Sequence, residues 1–404
     1  MKVIRVEQHV IKKSNPIYKT VDEYCFKSKN VYNYANYIIR QEFIKSGKWI
    51  RANDLDKMCQ SSDCYKELGS QAAQKIIQLL DKNWKAFFCS IKDWSKNPNK
   101  YLGRPRLPKY KEKEGRMILI LKNIQCSLKE GIFRISYKPF GGYSVKTHIQ
   151  HEVKLIQCRF VPKGSNYVLE IVYETDVPNT QDYSERVASI DLGVSNFITM
   201  TNNMGAYPIV VKGGIIKSVN QYYNKQKASL QSELKILNNK HWSKRLQNIT
   251  DKRNSRINYQ MHCVSKLVVD WCVLYDINVL ICGYNKEWKQ ESTLSKITNQ
   301  NFIGIPYEIF VNQLRYKCEN NGINFTITEE NYTSGTSFLD NEEPIKANYN
   351  KSRRVYRGLF KSNEGKLINA DVNGSYQIMK KVFPNAFSNG IGDVGLHPMT
   401  MKIA

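Results

Sequence analysis

The sequence contains no C-x-x-C pair and no cysteine after Cys318. Its 10 cysteines are scattered through apolar segments from Cys25 onward. Cys59 and Cys64, the closest pair, have no matching pair or histidine cluster to complete a metal site. No structural zinc is therefore expected, and the scatter reads as free thiols in a reducing cytosol. A run of about 18 apolar residues is also missing, so no membrane span is expected. The opening MKVIRVEQHVIKK alternates apolar and polar residues and lacks the apolar stretch of a signal peptide. No internal repeat is evident. Acid is scarce: 36 Asp and Glu stand against 61 Lys and Arg, a formal charge of +25. An excess of this size over a whole chain points to a polyanionic partner.

What is present supports that reading. Aromatic residues make up 11%, with 25 Tyr, and supply rings on which bases can stack. At 404 residues and 41% hydrophobic content, the chain can bury two or three real cores. Residues 3–11 alternate like a strand. The period then changes: Val31, Tyr34, Ala35 and Ile38 fit one helix face. Ser70 suits the N-cap of a helix carrying Ala73, Ile76, Ile77, Leu80, Trp84, Phe87, Phe88 and Ile91. Residues 16–95 thus read as a helical insertion after the first strand.

The segment Gly103-Arg104-Pro105-Arg106-Leu107-Pro108-Lys109-Tyr110-Lys111 cannot be helical, because two prolines interrupt it. It is either an extended surface for phosphates or a linker. Strand-like runs follow at 117–121, 132–136, 153–161 and 167–173, the last two joined by the hairpin signal Pro162-Lys163-Gly164-Ser165-Asn166. With the first strand they suggest a small β-barrel, made of residues 1–15 and 96–184.

From residue 185 the order is three strands, helix, strand, helix, strand, helix. That is the order of an RNase H-like α/β domain, expected over 185–386 with a basic helical insertion at 216–256. Residues 387–404 read as a mobile tail. The fold class expected is α+β and multidomain.

Three acids stand where such a sheet places them. Asp191 closes a short apolar strand and is followed by Gly193, where the chain must turn. Asp371 lies at the start of the last helix, a position Asp also favours for structural reasons alone. The strand ending in Cys282-Gly283 carries no acid, but the next ends in Glu329-Glu330. Two adjacent acids repel, so one is expected to face metal and the other solvent; Glu330 is preferred to Glu329. Phosphodiester hydrolysis by such a set uses two divalent metals about 4 Å apart. Oxygen ligands suit Mg²⁺ or Mn²⁺.

The spaced motifs DLGVSN, GYNKEWKQ, TEENYTSGTSFLD and NADVNGSYQIM resemble the nuclease half of the TnpB family, the insertion-sequence OrfB proteins related to type V CRISPR effectors. The resemblance extends to the N-terminal strand, helical insertion, basic loop and β-strands, which look like a wedge barrel and recognition helices. It implies a RuvC-like DNA endonuclease, a guide RNA from the transposon end, and double-stranded target DNA with an adjacent short motif. Two departures are clear. The usual middle Glu is replaced by the Cys282-Gly283 version, as in a branch that carries its acid at the TEE position. The usual zinc ribbon is absent: residues 335–366 instead hold Arg353, Arg354, Tyr356 and Arg357, expected as a metal-free loop or hairpin against nucleic acid.

Further nucleic-acid contacts are expected from Arg104, Arg106, Lys109, Tyr110 and Lys111, from Tyr34, and from Lys225, Lys244, Arg245 and Arg253 on the basic helices. Trp288, Lys289, Arg353 and Arg357 complete the set. A solvated helix face is an equal reading for any single lysine, as is core packing for Trp288. The ribonucleoprotein is expected to hold one copy of the chain, in the bacterial cytoplasm on nucleoid DNA. The rival reading is a nuclease-inactive, RNA-guided DNA-binding repressor.

Overall fold

The computed structural model describes residues 1–149, 151–180, 186–285, 295–387 and 391–402. The chain divides into two compact units, Lys2–Asp176 and Met1 with Val177–Ala404.

The first unit opens with β1 (Lys2–Ile11), then four helices: α1 (Tyr18–Ser46), α2 (Ala52–Cys59), α3 (Asp63–Leu68) and α4 (Ser70–Lys96). Six strands follow: β2 (Leu119–Lys122), β3 (Cys126–Lys129), β4 (Ile132–Ile135), β5 (Ser144–Lys146), β6 (Lys154–Lys163) and β7 (Asn166–Asp176). They form two antiparallel sheets, in the orders β1-β7-β6-β2 and β3-β4-β5, where one barrel was expected. Gly164 turns the β6–β7 hairpin at φ +62°, a left-handed conformation that glycine adopts freely.

Helices and sheets share one core. Ala73, Ile76, Leu80 and Trp84 from α4 are buried in the same cluster as Phe133, Phe160 and Leu169 from the strands. The helical insertion and the strands around it are therefore one packed body, because neither face can be dried without the other. Two sequence expectations need adjustment. Ser70 is the first residue of α4; Gly69, at φ +85°, is its N-cap and makes no side-chain cap bond. On α1 the buried positions include Val31, Tyr32, Ala35 and Ile39, while Tyr34 is exposed and Ile38 half-buried.

The second unit holds β8 (Val187–Leu192), β9 (Asn196–Asn202) and β10 (Ile209–Lys212). Next come α5 (Gly214–Asn238), α6 (Lys244–Leu274), β11 (Val279–Gly283), α7 (Lys296–Ile303), α8 (Tyr307–Asn320) and β12 (Asn324–Thr328). A three-stranded antiparallel sheet, β13 (Arg354–Tyr356), β14 (Leu359–Lys361) and β15 (Leu367–Asn369), precedes α9 (Ala370–Val382). Its first two strands form a hairpin within the insert 335–366, and the third, β15, lies just after it.

The main sheet runs β12-β11-β8-β9-β10 and ends on β16 (Met399–Met401). β12, β11 and β8 are parallel, and β8, β9 and β10 are antiparallel. β16 pairs in parallel with β10, so part of the expected tail is an edge strand of the sheet. Apolar side chains of α6 and α8, such as Val264, Val268, Phe310 and Leu314, pack with Ile190, Ile198 and Leu280. α9 adds Ile378 and Met379, which pack with Val187 and Ile281.

Candidate active site

Strand register brings the candidate acids to one end of the sheet. Ile190 pairs with Cys282, and Gly283 pairs with Thr328. Asp191 is one step past Ile190, so it lies level with Gly283 and the tip of β12. Glu330 follows two residues after that tip. Its carboxylate accepts a hydrogen bond from the Leu192 backbone, and its own N–H donates to Asn285 Oδ1 at 3.0 Å. Space for it comes from Gly283. A Cβ there would lie 2.8 Å from both Glu330 Cγ and Glu330 Oε1.

Asp371 arrives from α9. The Asn369 side chain caps this helix, accepting from the backbone N–H groups of Asp371 and Val372. α9 crosses β8 closely: Ser189 Oγ donates to the Ser375 carbonyl at 2.7 Å, and Ser375 Oγ to the Ser189 carbonyl at 3.0 Å. Gly374 faces Asp191, whose Oδ2 would lie 3.0 Å from a Cβ placed there. Small residues at 374 and 375 thus let the helix bring its acid to the strand.

The electrostatics record this convergence. Burial pushes the Asp191 carboxyl well above its ordinary range, and the nearby Glu330 and Asp371 raise it further. Burial lifts Glu330 to about 7. Glu330 Oε1 is buried without a hydrogen-bond partner. Glu329 is different: it is exposed and accepts from its neighbour Asn331. Asp371 accepts a 2.6 Å hydrogen bond from Asn196, which in turn accepts one from Lys212 at 2.9 Å. Among the described residues, no three His, Cys, Asp or Glu side chains already close around a cation position. The donors present are nevertheless hard oxygens crowded by like charge, and one of them has no partner. That combination fits a divalent cation such as Mg²⁺.

Sequence reasoning placed Arg354 and Arg357 against nucleic acid but did not bring them to the acids, and it did not single out Tyr307. A cavity of about 320 Å³ beside Asp371 and Asn196 is lined by Ser195, Arg354, Arg357 and Gly358. Arg354 lowers the pKa of Asp191 electrostatically, and its Nε is buried without a partner. The buried Tyr307 donates to the Gly193 carbonyl at 2.9 Å, bracing the turn after Asp191. Nothing in the local sequence at Tyr307 or Gly374 marks either residue, because their contacts are long-range.

The expected nucleic-acid contacts divide. Arg104, Arg106, Lys109, Tyr110 and Lys111 are exposed along their loop in the first unit, as is Tyr34. In the second unit Lys225, Lys244, Arg245 and Arg357 are exposed. Two of the expected contacts have partners within the chain. Arg253 is half-buried and binds Asn220 Oδ1 and the Gly304 carbonyl, tying α6 to α5 and the end of α7. Arg353 is held by Glu342 at 2.7 Å and Asp340 at 3.9 Å. Both guanidinium groups are committed inside the protein. Trp288 and Lys289 lie outside the described residues.

Two family models match the chain. Residues 170–289 match OrfB_IS605, described as a probable transposase, and residues 307–378 match the Cas12f1-like TNB domain. No curated protein matches significantly. Among solved structures, the cryo-EM structure of the Cas12f1-sgRNA-target DNA complex is similar over 90% of this chain and 82% of that one, at 13% identity and a TM-score of 0.59. A CasPhi-2 (Cas12j) structure bound to crRNA aligns over 94% of this chain and 98% of that one, at 10% identity and a TM-score of 0.43. At these identities the Cas12f1 likeness is one of fold. No described helix is long and apolar enough to cross a membrane.

Proposed function

With its segments 170–289 and 307–378 matching those two models, the chain is a TnpB-like protein, and we propose that it is an RNA-guided DNA endonuclease of a transposable element. It cuts double-stranded target DNA beside a short adjacent motif, directed by a guide RNA from the transposon end. The observation that carries this reading is the meeting of Asp191, Glu330 and Asp371 from β8, the tip of β12 and the start of α9. The nearness of all three acids, with Glu330 and Asp371 both acting on Asp191, favours cutting over a repressor that binds without cleaving.

Asp191, Glu330 and Asp371 would hold the cation, Mg²⁺ or Mn²⁺. When bound, it supplies Lewis acidity to the attacking water and the leaving oxygen of the phosphodiester. The rest falls to the protein's own groups. Asn196 orients Asp371 through its 2.6 Å hydrogen bond, and Lys212 orients Asn196. The Leu192 backbone holds Glu330. Arg354 and Arg357 place positive charge on the cavity wall next to Asp371, where a phosphate would lie. The exposed Lys225, Lys244 and Arg245 hold nucleic-acid backbones without reading sequence. The ribonucleoprotein contains one copy of the chain and works in the cytoplasm on nucleoid DNA.

The test is reconstitution. The chain purified with its copurifying RNA, given Mg²⁺, should cut DNA matched to that RNA, and Asp191→Ala should bind the same DNA without cutting it. Sequence-independent cutting by the RNA-free chain would leave a plain RuvC-like nuclease instead.

A further inference from the structure

The first unit holds a second cavity, of about 630 Å³, between α1, α4 and the basic loop 103–111. Phe43, Phe87, Phe88 and Ile91 line it and are only half-buried. The three rings belong to an edge-to-face and tilted cluster: Phe43 and Phe88 lie 5.6 Å apart, Phe87 and Phe88 5.2 Å apart, and the buried Trp84 packs edge-on against Phe43. Arg40, Arg104, Arg106 and Lys109 line the same cavity, the last three exposed. Among the described residues, no carboxylate lines it.

The loop is held in place before any ligand arrives. The Pro108 carbonyl accepts from Asn36 Nδ2 and from Arg40 Nη1, each at 3.0 Å. Asn33 and the Lys111 backbone exchange hydrogen bonds in both directions. Pro105 and Pro108 restrict the backbone further. The backbone that carries the cations is therefore anchored at Pro108 and Lys111, beside the cavity, which lowers the entropic cost of ordering this part of the loop on binding.

We propose that this cavity takes one unpaired nucleotide. Its base packs against Phe87, Phe88 and Ile91, and its flanking phosphates meet Arg104, Arg106 and Lys109. An aromatic wall under a rim of cations without acids matches a base with its phosphates. A cavity of this size suits a ligand of nucleotide dimensions. The nucleotide can come from the guide RNA or from displaced target DNA. This inference rests on the nucleic-acid reading above and deepens it, but needs no cleavage.

The experiment measures binding of fluorescent 12-nucleotide single strands, one RNA and one DNA, to the full chain over a range of salt. Two variants are compared with the parent. Ile91→Trp fills the cavity and leaves the cations; it should weaken binding about tenfold, the scale of one stacked base, with an unchanged salt slope. Arg104→Ala with Arg106→Ala, both exposed, should flatten the log–log salt slope by roughly 1.4, about 0.7 per lost phosphate contact. The strand whose affinity falls more identifies the source. Parent-like binding of both strands by the double arginine variant overturns the inference, whether or not Ile91→Trp folds. So does a parent chain that binds neither strand. Guided cutting that persists while both variants bind like the parent leaves the endonuclease reading intact and removes only this one.

Discussion

Gly283 and Glu330 share one space: the missing side chain at the end of β11 is filled by the carboxylate from beyond the tip of β12. A Cβ on Gly283 would also lie 2.5 Å from Ile378 Cδ1. Gly283→Ala should therefore displace Glu330 or α9. The overpacking should cost about 1–3 kcal/mol of stability, read by denaturant unfolding. Guided cutting should fall at least about tenfold. Full activity would show that the position of Glu330 is not needed.

The acids should separate by role. Asp191→Ala, Asp371→Ala and Glu330→Gln should each reduce cutting by about a hundredfold or more, the scale of losing a group that stabilises transition-state charge. Guided DNA binding should remain, as read by gel shift. Glu329→Gln should cut like the parent, since that side chain is exposed and turned to Asn331. Equal, full activity of the two Gln variants would remove the displaced acid.

Glu330 gives the metal-free protein a pH signature. Its carboxyl is raised from 4.5 to about 7 when folded. Between those values the folded state holds the proton more tightly than the unfolded one. Stability from this group is thus full below about 4.5 and is lost as pH rises through about 7. The metal-free protein should lose more stability between pH 5 and 8 than Glu330→Gln does, by a few kcal/mol. Mg²⁺ should restore it, and more so at pH 8, where the carboxylates are ionised. Thermal melts with and without Mg²⁺ test this; identical pH dependence in parent and variant would contradict it.

Arg354 holds the Asp191 carboxyl down against burial and its two acidic neighbours. Arg354→Ala should shift the pH–rate profile of cutting to higher pH. Arg354→Lys should restore part of the shift, because it keeps the charge. An unmoved profile in Arg354→Ala would confine this arginine to binding.

Elemental analysis of the purified protein should find no stoichiometric zinc, since no cysteine follows Cys318. One zinc per chain would require a ligand set that the sequence reading missed.

The sequence by itself pointed to a polyanionic partner, to the order of strands β8 to β12 with helices between and after them, and to the ends on which Asp191 and Asp371 stand. These follow from charge, from hydrophobic period and from residues adjacent in the chain. It also narrowed the candidate third acid to Glu329 or Glu330, but adjacent residues have the same local signal; in the structure Glu330 lies against Gly283 and the Leu192 backbone, while Glu329 is exposed. Only tertiary packing put Arg354 near Asp191, and committed Arg253 and Arg353 to internal partners. A lysine or arginine looks the same in sequence whether it meets a phosphate or a carbonyl. The β16 edge strand was hidden for a related reason: its three residues have no period of their own, and β10 supplies the hydrogen bonds that make them a strand.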